Sequence, residues 1–262
     1  MRYQATTFDA SVHYKDRFWR SSTFTVAGGV RALTFGSGTC CGEPALEDAV
    51  ARGTIPTPPG FGRGYTAAYE RIAIAVDSRK PRPEEGSGIR AELHGEGVFA
   101  PDSSDAYGRR AWVNYGGSLG AALDLTRTQR VVSLTLSAEL VDPLQGVVPF
   151  TDQITLGGDR GMPGYLAGRL VDRSALLATL KYAWPIWVFL DGVIEADVGN
   201  VFGAHFEGFE PGLLRLTSGI GVRSSGARDS GFELLVAGGT DPFDTGFHVT
   251  SFRFVIGSHH GF

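Results

Sequence analysis

Strict alternation of apolar and polar residues constrains this chain more than any other feature. Residues 131–141 set Val132, Leu134, Leu136, Ala138 and Leu140 against Ser133, Thr135, Ser137 and Glu139. Successive side chains of a strand point to opposite faces, so a period of two predicts a strand with one apolar and one polar face. The same pattern runs through residues 5–14, 23–34, 65–78, 89–99, 113–124, 175–187, 188–198, 213–223, 232–238 and 247–258, which makes eleven strands in all. Most have roughly 10 to 14 residues, enough to cross a bilayer at a tilt. Pro185 is expected to make the tight turn between the seventh and eighth strands, and residues 15–20 a short charged turn after the first.

Composition narrows the choice. Charged residues are 20% of the chain and the net charge is −4, so there is no electrostatic case for nucleic acid as a partner. No stretch approaches 18 uninterrupted apolar residues, so no transmembrane helix is expected. A soluble all-β protein and a membrane β-barrel both fit these bulk properties, because barrel strands are only half apolar.

The connections favour the barrel. Those after Tyr14, Asp77, Leu125, Trp184 and Arg223 are short or polar. Those after Thr34, Phe99, Val141, Val198 and Gly238 are mostly longer, and residues 43–52 within the first of them predict a short helix. Short turns on one side and long loops on the other mark an outer-membrane barrel. Three of the four tryptophans, Trp19, Trp184 and Trp187, fall at the short-turn end, where an interfacial aromatic girdle belongs. The expected fold is therefore an all-β, antiparallel transmembrane β-barrel of 11 or 12 strands, with residues 1–262 forming one barrel domain and no periplasmic domain. Parity puts the C-terminus on the periplasmic side and the N-terminus outside. Bacterial barrels have even strand numbers. An odd count thus predicts upstream strands or one uncounted strand, and the lack of an apolar export segment after Met1 predicts a signal further upstream.

Between two alternating segments lies ITLGGDRGMPGYLAGRL, residues 154–170. Its glycines and Pro163 exclude a helix or a central strand, and a loop of that length usually has a task. A glycine pair, three variable residues, an apolar residue, one further position and then Gly-Tyr resembles the lumen loop of the BamA/TamA-type outer-membrane barrels, the bacterial surface antigen family. The matching residues are Gly157, Gly158, Met162, Gly164 and Tyr165. The resemblance extends from about Tyr69 to Phe262. It includes Asp77-Ser78-Arg79 with Pro83 and Gly86, Lys181-Tyr182-Ala183 before Pro185, Asp197-Val198-Gly199, and the terminal Phe262, which matches the family's C-terminal assembly signal.

The resemblance implies the C-terminal two-thirds of a sixteen-stranded barrel in the bacterial outer membrane. It implies a role in inserting proteins into that membrane or moving them across it, with membrane lipids and unfolded outer-membrane proteins as partners. In the family, an arginine just before the Gly-aromatic pair reaches lumen acids. Here Pro163 holds that position. Arg160 is expected to substitute by reaching Glu195 or Asp197, with Lys181 the next candidate cation. The alternative is a structural or pore-forming barrel that anchors a fused domain without assembly activity, and Pro163 favours it.

An enzyme ranks third. Gly116-Gly117-Ser118-Leu119-Gly120 fits the nucleophile-elbow pattern, but that motif needs a strand-to-helix turn and this one lies within an alternating strand. His94, between Glu92 and Glu96, is the best acid–base candidate, with no nucleophile spaced to join it. No cofactor or metal is expected. Cys40 and Cys41 are adjacent, a strained arrangement for a disulfide and a poor metal site, so no role is assigned to them.

Overall fold

The computed structural model describes residues 3–36, 38, 45–62, 64–79, 86–102, 109–158, 161–224 and 231–259. Cys40, Cys41, Arg160 and Phe262 lie outside the described residues.

The strands follow the chain as β1 (Gln4–Trp19), β2 (Ser22–Gly36), β3 (Tyr65–Asp77), β4 (Gly88–Asp102), β5 (Arg110–Asp124), β6 (Val131–Gln145), β7 (Ile154–Leu156), β8 (Leu170–Asp172), β9 (Ser174–Trp187), β10 (Leu190–Phe202), β11 (Arg215–Ser224), β12 (Gly231–Thr240) and β13 (Val249–His259). Eleven of them form one antiparallel sheet in chain order, skipping β7 and β8, which pair only with each other. One helix, α1 (Leu46–Ala51), lies in the long excursion after β2 and buries Leu46 and Ala49. Among the described residues no helix is long and apolar enough to cross a membrane.

The faces fall where alternation puts them. Ile72, Ile74, Leu93, Leu119, Leu134, Leu136, Leu180 and Ile220 stand exposed on the outer side. The opposite side carries the polar and glycine positions. Short connections cluster at one end of the sheet and long ones at the other, and Trp19, Trp184 and Trp187 sit at the short end. Trp112 is fully buried near the long-loop end, edge-on to Tyr65, in a core with Leu33, Val98, Val141 and Val148.

Two expected turns are displaced. The residues read as a charged turn after Tyr14 continue β1 to Trp19, and the chain reverses at Arg20 and Ser21. Pro185 lies inside β9, opposite Asp191, and the reversal falls at Val188 and Phe189. Proline survives there because the register slips between Leu190 and Asp191, and an irregularity tolerates a missing N–H.

The sheet is open, with β1 and β13 as its edges. It is also curled. β3 and β12 are separated by seven strand spacings, about 34 Å if laid flat. Yet the single connection between β6 and β9 reaches both: Tyr65 of β3 donates to Asp152, and Tyr165 donates to the Thr240 carbonyl of β12. The sheet wraps around this segment, and residues as far apart in strand order as Glu92 of β4 and Val255 of β13 line one cavity beside it.

Candidate functional site

The segment at the centre of the curl is built as a hairpin pointing inward. β7 and β8 pair in register from Ile154 with Asp172 to Leu156 with Leu170, forming a short stem. Residues 157–169 close it. Gly157 has φ +117°, and a side chain there would run into the Leu166 carbonyl, so only glycine fits. The Gly157 N–H donates to Gly161 at 2.9 Å, Gly158 to Tyr165 at 3.0 Å and Tyr165 to Met162 at 3.0 Å. These bonds satisfy the loop's own backbone before it meets the wall. Leu156, Met162, Tyr165, Leu170 and Ala175 then form a second buried cluster with Leu177 and Val201.

Two contacts fix the tip. The first is on β10. Asp197 is fully buried and its carboxylate accepts three hydrogen bonds. The Thr179 hydroxyl donates at 2.6 Å, the Thr217 hydroxyl at 3.0 Å, and the backbone N–H of Met162 at 3.2 Å. Thr179 and Thr217 are the direct cross-strand neighbours of Asp197 on β9 and β11. Met162 presents its N–H from a left-handed backbone with φ +59°. The second contact is on β12 and β13. The Ser251 hydroxyl donates to the Gly164 carbonyl at 2.6 Å, and the Tyr165 hydroxyl donates to Thr240. Gly164 lies directly on the β12 backbone, where an added Cβ would meet Gly238 and Gly239 at 2.5–2.6 Å. A register shift between Gly239 and Thr240 marks the same spot.

The two acids of β10 take different donors. Glu195 goes to Lys181, its direct cross-strand neighbour, at 2.7 Å. Lys181 also faces Glu233 at 3.8 Å. Asp197 goes to two hydroxyls and a backbone N–H. Arg160, expected to reach these acids, lies outside the described residues, while Gly158 and Gly161 on either side of it line a cavity of 340 Å³ bounded by Lys181, Glu195 and Glu233. Pro163 is buried at the tip between Met162 and Gly164.

The near end of the loop is anchored to the other wall. Asp152 accepts from Tyr65, from the Thr151 hydroxyl at 2.9 Å and from Arg31 at 3.4 Å. Arg31 also reaches Asp9 on β1 at 3.2 Å and lies 5.0 Å over the Tyr69 ring. Burial pushes the Asp152 carboxyl above the usual carboxylate range, against the opposing pull of these donors.

The residues weighed as enzymatic lie in the sheet wall. Gly116 to Gly120 lies within β5, with Ser118 paired to Glu92 on one side and Ser137 on the other. His94 of β4 and Glu139 of β6 join at 2.9 Å across Gly116 of the intervening strand. A side chain at Gly116 would collide with the Glu139 carboxylate, so the glycine makes room for the pair.

Sequence reading missed Thr179 and Thr217 as partners of Asp197, and Thr240 and Ser251 as partners of the loop. For Thr179 a partial signal was present: its alternation puts it on the lumen face, but the register slip beside the turn, and not the turn alone, sets it opposite Asp197.

No family model matches the chain, and no curated protein matches it. Among solved structures, BamA from Haemophilus ducreyi lacking POTRA domains 1–3 superposes with a TM-score of 0.60 at 13% identity, over 98% of this chain and 55% of that one. The chain has the fold of a BamA-type outer-membrane barrel. The present chain spans about half the length of the BamA structure, 55%. CdiB from Acinetobacter baumannii also aligns, over 97% of this chain and 50% of that one, at 10% identity and a TM-score of 0.48.

Proposed function

We propose that this chain, residues 1–262, is a single barrel domain of the bacterial outer membrane and serves protein insertion into that membrane or translocation across it. The observation that carries the proposal is the grip of the lumen hairpin on the sheet's own edge. Ser251 of the edge strand β13 holds Gly164, and Tyr165 holds the adjacent β12. An edge strand offers unpaired N–H and C=O groups to which an incoming strand can add. A loop that fixes β12 and β13 from inside sets where that edge stands. Nothing in this action breaks or forms a covalent bond, so the proposed role is not enzymatic. Unfolded outer-membrane proteins are the proposed clients, and outer-membrane lipids the surroundings.

One observation favours the anchor reading instead. The tip is held to Asp197 by the Met162 N–H rather than by a loop side chain at the Pro163 position. Vesicles decide between the two. Reconstituted into phosphatidylethanolamine and phosphatidylglycerol, the chain should speed the folding of an unfolded outer-membrane barrel relative to protein-free vesicles. An unchanged folding rate would leave the anchor. The membrane setting has its own test. Leu136 is exposed on the outer side and its neighbour Thr135 faces inward. Leu136→Arg should cost about 2–4 kcal/mol near the midplane, and Thr135→Arg far less. Equal costs, read from urea titrations in vesicles, would move the chain out of the membrane.

A further inference from the structure

The hairpin joining β9 and β10 differs from the other described short turns. Residues 182–190, Tyr-Ala-Trp-Pro-Ile-Trp-Val-Phe-Leu, contain no charge. Ile186, Trp187, Val188 and Phe189 are 53%, 72%, 78% and 76% exposed, four consecutive large apolar side chains at a tip. The β5–β6 turn carries Thr126, Arg127, Thr128, Gln129 and Arg130 instead. The β1–β2 turn has Trp19, but Arg20 covers that ring at 4.9 Å and ties itself to the Ser78 carbonyl.

Alternation also fails at this tip. Pro185 pairs with the inward-facing Asp191, whereas the register slip pairs Trp187 with Leu190 on the outer side, so the tip is apolar on both faces. The first charge beyond the turn, Asp191, is 2% exposed and turns inward to Arg223 at 3.6 Å. On the outer face, Tyr182 and Trp184 stack at 5.4 Å, and Trp184 lies over Gly192, which leaves it room. The outer row Ala178, Leu180, Tyr182, Trp184 and Ile186 thus runs without a polar break into the tip.

We propose that the β9–β10 hairpin tip is inserted into the periplasmic leaflet of the membrane, with Ile186, Trp187, Val188 and Phe189 in contact with lipid. The occupant is lipid because the tip continues the outer apolar row and is rich in the aromatic side chains that favour the headgroup boundary. Charged turns keep their hairpins in water; this one lacks any group that would hold it there. The inference rests on the outer-membrane barrel reading. It adds a fixed point at which the barrel grips one leaflet.

Site-directed spin labelling tests it. Cys40→Ser and Cys41→Ser give a background for single cysteines at three exposed positions: Phe189→Cys at the tip, Leu180→Cys on the outer row and Thr128→Cys on the polar turn. Each labelled protein is reconstituted into phosphatidylethanolamine and phosphatidylglycerol vesicles, with a water-soluble nickel chelate on both sides. Folding is checked by retained β-structure in circular dichroism. The expected result is that the Phe189 label collides with oxygen more than with nickel, as the Leu180 label does, while the Thr128 label shows the reverse. A Phe189 label as open to nickel as the Thr128 label, with Leu180 protected, overturns the inserted tip and leaves the barrel intact; the tip would then be a site for a periplasmic protein. A Leu180 label open to nickel overturns the barrel reading and the inserted tip together.

Discussion

β1 and β10 are written in the same alternating code and end in different environments. Every one of the sixteen residues of β1 is exposed, on both faces. On β10 the inward residues Asp191, Val193, Glu195 and Asp197 are all buried, two of them completely. The outer faces of both strands are alike. The difference lies in what stands opposite the inner face. β10 has the hairpin of residues 157–169 packed on it, whereas β1 is tied toward the base of the loop through Asp9 and Arg31 and, at its start, through the edge-on contact of Tyr3 with Phe150. Alternation therefore specifies that a strand forms and which residues share a face. A separate segment decides whether the inner face is a core or a wetted wall.

The largest expected effect sharpens this contrast at two aspartates. Asp197→Ala strands two hydroxyls and a backbone N–H in a dry site and should cost about 3 kcal/mol or more. Asp9→Ala removes a partly exposed pair with Arg31 and should cost about 0–1 kcal/mol. Urea titrations followed by tryptophan emission measure both. Similar costs would mean that the hairpin does not keep water from β10.

Two glycines give the next effect. A side chain at Gly164 meets the β12 backbone, so Gly164→Val should lift the tip and cost about 1–3 kcal/mol. Gly28 on β2 has only the Tyr69 carbonyl, 3.6 Å from its would-be Cβ, so Gly28→Val should fold without strain. Limited proteolysis within residues 157–169 reads the difference: cutting should speed up only in the first variant. Equal protection in both would show that Gly164 is not held against β12.

The smallest effect is a pH dependence at the loop's near end. Burial raises the carboxyl of Asp152 in the folded protein. The folded state then holds its proton more tightly than the unfolded chain. That contribution is fully present below the ordinary carboxylate value and is lost as pH rises through the raised one. Asp152→Asn should flatten this part of the stability profile. A profile unchanged by the substitution would assign the pH dependence to other groups.

How much of this could be read in advance depends on the kind of signal. All eleven long strands were legible, and the faces of the first eight, because each of those is written as a run of side-chain types with a period of two. The strand ends were less so. Lys15, Asp16 and Arg17 look like a turn, yet on an edge strand with both faces exposed charges cost nothing, and β1 runs on through them. Pro185 looks like a reversal, but a register slip absorbs it two residues before the actual turn. At the site, the loop, Glu195, Asp197 and Lys181 were legible as residue types. The Met162 N–H was not, since every residue but proline carries one. Its use depends on a left-handed φ at a methionine, which composition does not announce. Thr240 and Ser251 are likewise ordinary lumen residues until the sheet curls and brings them to the tip.

The hairpin's bonds also carry a history. Met162 reaches 35 residues ahead to Asp197, Tyr165 reaches 75 to Thr240, and Ser251 reaches back 87 to Gly164. None of these bonds can form until the strand at its far end exists and the sheet has bent. Contacts so distant along the chain carry a loop-closure cost before they return anything, which slows the step that makes them. The hairpin should accordingly seat last, after β13 has joined the sheet. Until then the glycine-rich tip, although it precedes β9 to β13 in the chain, waits as a loose end inside an unfinished wall.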